Sequence, residues 1–150
     1  MVFEAREGDT LISCDRQKLD VKRIHAFLTR SYWAERVSLE LVERSIENSI
    51  PFGVYAGGDQ VGFARVISDR ASYAYLADVY IEEAYRGRGL SKLLMRAVMG
   101  HPELQGLRRW ILGTRDAHGL YRQFGFTELQ RPERWMEKAE AGLYQGEDGQ

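Results

Sequence analysis

Two periodicities divide the chain. Between residues 21 and 31 the apolar positions Val21, Ile24, Phe27 and Leu28 recur at steps of three and four, with Lys22, Arg23 and Arg30 on the other side. This is the pattern of an amphipathic helix, and Asp20 stands where its first free amides need a side-chain acceptor. Ser38 offers the same cap to a second helix reaching about Asn48 on Leu39, Leu41, Val42 and Ile46, and Pro51 prevents its continuation. The period then falls to two. FGVYA, QVGFARVI and SYAYLADVYI are rich in β-branched and aromatic residues, and Gly57-Gly58-Asp59 and Ser68-Asp69-Arg70 separate them, so an antiparallel meander of three strands is predicted. One or two short strands around Gly8-Asp9 precede the helices.

Helical spacing returns at residues 90–100, where Leu90, Leu93, Leu94, Ala97 and Val98 form one stripe that ends near His101-Pro102. RRWILGT follows as a short buried strand. Asp116 or Thr114 can cap a helix carrying Leu120, Tyr121 and Phe124, with Gly125 as its left-handed C-cap. Strands are expected at residues 126–129 and in RWMEK, and residues 139–150 read as a flexible, solvated C-terminal tail. There is no internal repeat, low-complexity tract or linker. The order of elements predicts one α+β domain over residues 1–138, a central mixed sheet with helices around it.

Composition narrows the function. A chain of 150 residues buries about 68–70% of its unfolded surface and needs no staple to hold its core. Lys plus Arg number 21 against 22 acids, which offers no basic field for a nucleic acid. No apolar run approaches the roughly 18 residues of a membrane span, and the N-terminus lacks the character of an export signal, so the expected compartment is the cytoplasm. Cys14 is the single cysteine, and His25, His101 and His118 have no metal-ligand spacing, so no metal is expected.

The segment with most chemistry is IEEAYRGRGLSKLL. It runs from a strand through glycines into a helix start, a geometry that suits an anion. Gly87 and Gly89 can take positive φ, the free amides of the first turn point outward, and Arg86, Arg88 and Lys92 add charge. The alternatives are a plain solvated turn or a nucleotide loop. A dinucleotide fingerprint fits poorly, because Lys92 stands at the third-glycine position and the preceding strands are antiparallel.

Residues 81–91 resemble the signature [VI]xxxx[RQ]xxGx[GA] of the GNAT superfamily of acyl-CoA dependent N-acetyltransferases, with Arg86 and Gly89 at the defining positions and Ser91 in place of the usual Gly or Ala. DAHGLYRQFGF is similar to the family's AxxLYxxxGF segment through Ala117, Leu120, Tyr121, Gly125 and Phe126. The resemblance covers roughly residues 20–138. It implies a mostly antiparallel sheet of six to seven strands, splayed in the middle and flanked by about four helices. It also implies acetyl-CoA as co-substrate, admitted between residues 76–81 and 110–113. The pantetheine arm would pair with the edge at Val79, Tyr80 and Ile81, and the pyrophosphate would meet Arg86, Gly87, Arg88, Gly89, Leu90, Ser91 and Lys92. Thr114 stands where many members carry an asparagine that contacts the pantetheine arm.

The resemblance puts Tyr121 at the position of the general acid that protonates the leaving thiolate; its own pattern reads instead as a core or helix-surface aromatic. The backbone N–H of Val79 or its neighbour is the expected oxyanion donor. Asp78 interrupts the apolar run YLADVYI, where a carboxylate is either catalytic or tied to an arginine or to nearby amides. Glu82, Glu83 and His118 are further candidates for the base. Tyr32 and Trp33, between the first two helices, could stack on the acceptor or anchor a helix end, with Phe52 nearby. The implied activity is acetyl transfer by direct attack of a primary amine, a small molecule or an amino terminus, in a monomer or homodimer. The alternatives are a non-catalytic acyl-CoA-binding regulatory domain and a nucleotide-binding protein.

Overall fold

The computed structural model describes residues 2–145. Six strands form one sheet in sequential order: β1 (Glu4–Glu7), β2 (Thr10–Ser13), β3 (Ile50–Ala56), β4 (Asp59–Ser68), β5 (Tyr73–Ile81) and β6 (Arg109–Ile111). The first five pair antiparallel; β6 lies parallel to β5. The meander therefore forms as its alternation predicts.

Four α-helices cover the sheet: α1 (Val21–Leu28), α2 (Leu39–Glu47), α3 (Leu90–Gly100) and α4 (His118–Arg122). Asp20 and Ser38 cap α1 and α2 by accepting the amides of Arg23 and Leu41. Two cores result. Leu94, Met95 and Val98 of α3 pack on Val54, Val66, Ala74 and Leu76 on one side of the sheet. Ile24 and Leu28 of α1 and Val42 and Ile46 of α2 meet Phe63 and Tyr80 on the other.

Two expected strands do not form. Residues 126–129 and RWMEK carry no ladder, and Pro132–Arg134 is instead a single 3-10 turn. Side chains hold this segment in place of backbone pairing. Phe126 lies edge-on to Trp110 and Tyr121, at 6.4 and 6.0 Å between ring centres, and Arg109 sits 4.9 Å over the Trp135 ring. The three-residue β6 offers too short an edge for a further ladder, and Pro132 lacks the N–H that one would need. The expected tail also departs from a solvated segment in part: Tyr144 packs on the core beneath α1 and α2. Residues 146–150 of that tail lie outside the described residues.

Candidate active site

Pairing between β5 and β6 covers only Tyr73, Ala74 and Tyr75. Beyond Tyr75 the two strands part, and the rest of β5 has no β6 partner. In the same stretch the β4–β5 register slips by one residue, so that Asp78 and Val79 together oppose Ala64. Asp78 takes a left-handed φ of 56°, a conformation that Asp tolerates better than most residues and that β-bulges use. The extra residue inverts the facing of the strand: Leu76 and Ile81 both enter the α3 core although five positions apart, while Tyr80 turns to α1.

The parted strands open a cleft of about 590 Å³ between the sheet and the α1–α2 side. Tyr32, Trp33, Asp78, Val79, Thr114 and Tyr121 all line it. Asp78 is held from two sides, accepting from Arg65 Nε at 2.6 Å and from Trp33 Nε1 at 2.8 Å. Tyr32 is tied to the segment after β6, since its hydroxyl accepts the Arg115 amide at 3.0 Å and its ring lies 4.0 Å beneath the Arg115 guanidinium. The connection between α1 and α2 is thereby fastened to both parted strands.

Tyr121 stands where this cleft adjoins a second cavity of about 460 Å³ behind β6, and it lines both. The residue is 7% exposed. Its hydroxyl has no hydrogen-bond partner among the described residues, and burial, with a smaller contribution from Tyr32, pushes the phenol up to about 12. It therefore keeps its proton at any physiological pH.

The glycine loop lies at the far end of β5. Gly87 and Gly89 have φ of 80° and 78°, and a Cβ on either would meet no atom within 4 Å. Only the Leu93 amide is returned to this turn, to the Gly89 carbonyl at 3.1 Å; the amides of Leu90, Ser91 and Lys92 have no protein acceptor among the described residues. Open space, free donors and the positive end of an eleven-residue helix fit an anionic group.

A model of the acetyltransferase (GNAT) family matches residues 18–126. The chain belongs to this family. A GNAT-family protein of Xanthomonas campestris pv. campestris, provisionally assigned as an acetyltransferase, has a crystal structure with a TM-score of 0.89 at 49% identity, covering 93% of this chain and 99% of that one. A Gibberella zeae protein provisionally named an acetyltransferase is 31% identical over 76% of each chain. A Bacillus subtilis spermine/spermidine N(1)-acetyltransferase is 33% identical over 51% of this chain and 58% of its own. A Clostridium acetobutylicum structure titled as a predicted acetyltransferase with acetyl-CoA shares the fold at a TM-score of 0.61 and 12% identity.

As a GNAT acetyltransferase the protein is an acyltransferase enzyme, and its sheet and four helices are the family's fold. Several residues singled out from the sequence serve the scaffold. The Tyr80 ring stacks on Phe27 at 3.8 Å, and the side chains of Ile81 and Leu90 are buried in the core, so these three offer only backbone to a ligand. Arg86 folds back to donate to the Ile81 carbonyl, Arg88 stacks over Tyr85, and Lys92 remains exposed. The Thr114 hydroxyl accepts the Ala117 amide at 3.1 Å in the turn before α4; the N-cap itself is Ala117 with no side-chain acceptor, so neither Thr114 nor Asp116 caps this helix as expected. Glu82 is bound by Arg23 through two hydrogen bonds, and His118 lines the second cavity instead of the cleft. Phe52 is fully buried against His101, away from the acceptor region. Sequence reasoning missed Arg65, although it breaks the apolar run QVGFARVI just as Asp78 breaks its own. It also missed Tyr75 and Tyr144 in the cleft wall, which carry no comparable signal.

Proposed function

We propose that the enzyme transfers the acetyl group of acetyl-CoA to a primary amine bound in the cleft, by direct attack. Bound acetyl-CoA supplies the activated thioester. The amides of residues 87–92 receive its pyrophosphate, and the unpaired edge of β5 at Val79, Tyr80 and Ile81 receives its amide-bearing arm as an added strand would. The relative with acetyl-CoA in its structure supports that choice of donor. The amine nitrogen forms a C–N bond as the C–S bond breaks. One amine proton leaves to a base, and the departing sulfur takes a proton from Tyr121.

The observation that carries this reading is the unpartnered Tyr121 hydroxyl in the cleft wall, a phenol that holds its proton at neutral pH and that burial raises further. The Val79 amide, at the bulge that lines the same cleft, is our candidate donor to the developing oxyanion. Asp78 is the one carboxylate among the cleft-lining residues. Each of its oxygens accepts one donor and keeps a lone pair, so we assign it the amine proton.

The test is Tyr121→Phe. Loss of an acid should lower kcat by about 10²- to 10⁴-fold with acetyl-CoA affinity retained. An unchanged kcat would remove Tyr121 from the mechanism, and absence of turnover in the native enzyme with every amine offered would favour a regulatory acyl-CoA-binding role. In the native enzyme the alkaline fall of kcat that comes from losing the Tyr121 proton should not begin below about pH 11, since burial raises the phenol to about 12.

A further inference from the structure

The charges in the cleft point to a class of acceptor. Its lining holds two cations, Arg65 and Arg115, and one acid, Asp78. Asp78 accepts from Trp33 and Arg65 and keeps one lone pair on each oxygen, enough for a single ammonium. A polyamine needs carboxylates spaced along its length, and the lining of this cleft holds one. The shallow hollow at its mouth adds Glu35 and Glu140 but also Arg36 and Lys138, and Lys138 pairs with Glu140 at 3.2 Å.

Arg65 is the group without a full set of partners. Nε donates to Asp78, while Nη1 and Nη2 have no hydrogen-bond acceptor among the described residues. The side chain is only 17% exposed, and the residue lines the cleft. A guanidinium edge with no protein acceptor in a half-closed cleft is suited to an anion, and its two parallel donors match a carboxylate. Around it Leu28, Val37, Leu41, Val42, Leu76 and Tyr75 supply apolar and aromatic wall.

We propose that the acceptor is an amine bearing a carboxylate next to it and an apolar or aromatic body, the chemistry of a free hydrophobic amino acid. Arg65 receives the carboxylate, and Asp78 beside it faces the ammonium. This rests on the cleft being the acetyl-transfer site. It gives Arg65 the role of specificity determinant and separates this enzyme from its polyamine-acetylating relative.

The experiment measures thiol release from acetyl-CoA with L-phenylalanine, 2-phenylethylamine and spermidine, using the full chain and its Arg65→Gln and Arg65→Lys variants, alongside thermal unfolding with CoA. The expected kcat/KM for L-phenylalanine exceeds that for 2-phenylethylamine by about 10- to 100-fold, the worth of a charged hydrogen-bond pair. In Arg65→Gln this ratio should collapse through KM, with the KM for acetyl-CoA unchanged. Should that variant not fold, Arg65→Lys, which keeps the charge but loses the fork, should still lower the ratio severalfold. Preference for 2-phenylethylamine or spermidine, turnover of none of the three, or a ratio insensitive to Arg65 would overturn the acceptor assignment while CoA still stabilises the protein. Absence of stabilisation by CoA would instead overturn the acetyl-transfer reading beneath it.

Discussion

Asp78 combines a left-handed backbone, a bulge and an ion pair in one residue. Asn also accepts the left-handed region, so Asp78→Asn removes the charge without adding backbone strain. It leaves Arg65 facing the cleft without its counter-ion, which should lower stability by about 3 kcal/mol. Loss of the base should lower kcat/KM by about 10²-fold or more. Kinetics at 20 °C together with a denaturant titration separate the two effects; a full kcat in a folded Asp78→Asn would show that the carboxylate only positions Trp33 and Arg65. At this scale the sequence was informative where a charge broke an apolar strand. Asp78 stood out by that criterion, and Arg65 met it equally. That the two meet follows from the β4–β5 register, with Arg65 opposite Ala77, and the bulge that sets this register has no local signal in YLADVYI.

Elements were readable where they depend on their own residues. The caps Asp20 and Ser38, the stripe of α3 and the glycine turn at Gly89 are local, and each occurs where the pattern puts it. The last two strands were not readable, because a strand needs an edge to pair with, and β6 ends after three residues. Gly89→Asp keeps a residue able to adopt the positive φ but places a carboxylate in the open space before the free amides. CoA binding should fall by more than about 10-fold, a charge repulsion of over 1.4 kcal/mol, with the unfolding midpoint of the ligand-free protein changed by only a few degrees. Equal CoA affinity in the variant, measured by calorimetry, would place the pyrophosphate elsewhere.

For the whole molecule, the single sheet carries the glycine loop and the cleft, and a histidine is buried beneath it. His101 lies between Phe3 and Phe52, and its Nδ1 accepts the Glu103 amide, which requires a neutral ring nitrogen there. Burial lowers its pKa from the ordinary 6.5. A lowered folded pKa means that the unfolded chain takes up the proton first, so the stability contribution is complete above pH 6.5 and is lost as pH falls toward the folded value. The unfolding midpoint should therefore drop between pH 7.5 and 5.5, and His101→Gln should flatten that slope. An equally steep slope in the variant would assign it to other groups. No helix among the described residues is long and apolar enough to cross a membrane. The fold class and the order of elements through α4 followed from the pattern of the chain, whereas the closed distances that make the cleft, Trp33 to Asp78 and Tyr32 to Arg115, span 45 and 83 positions and exist only once the sheet is assembled.

Thermal unfolding with acetyl-CoA, CoA, ATP and NAD added separately tests the proposal that acyl-CoA binds this cleft and glycine loop. At 100 times its dissociation constant a ligand adds about 2.7 kcal/mol to the native state, which raises the midpoint by about 5–10 °C for a chain of this size. A rise confined to the two CoA species is the predicted result. No rise with CoA, or an equal rise with ATP, would contradict it.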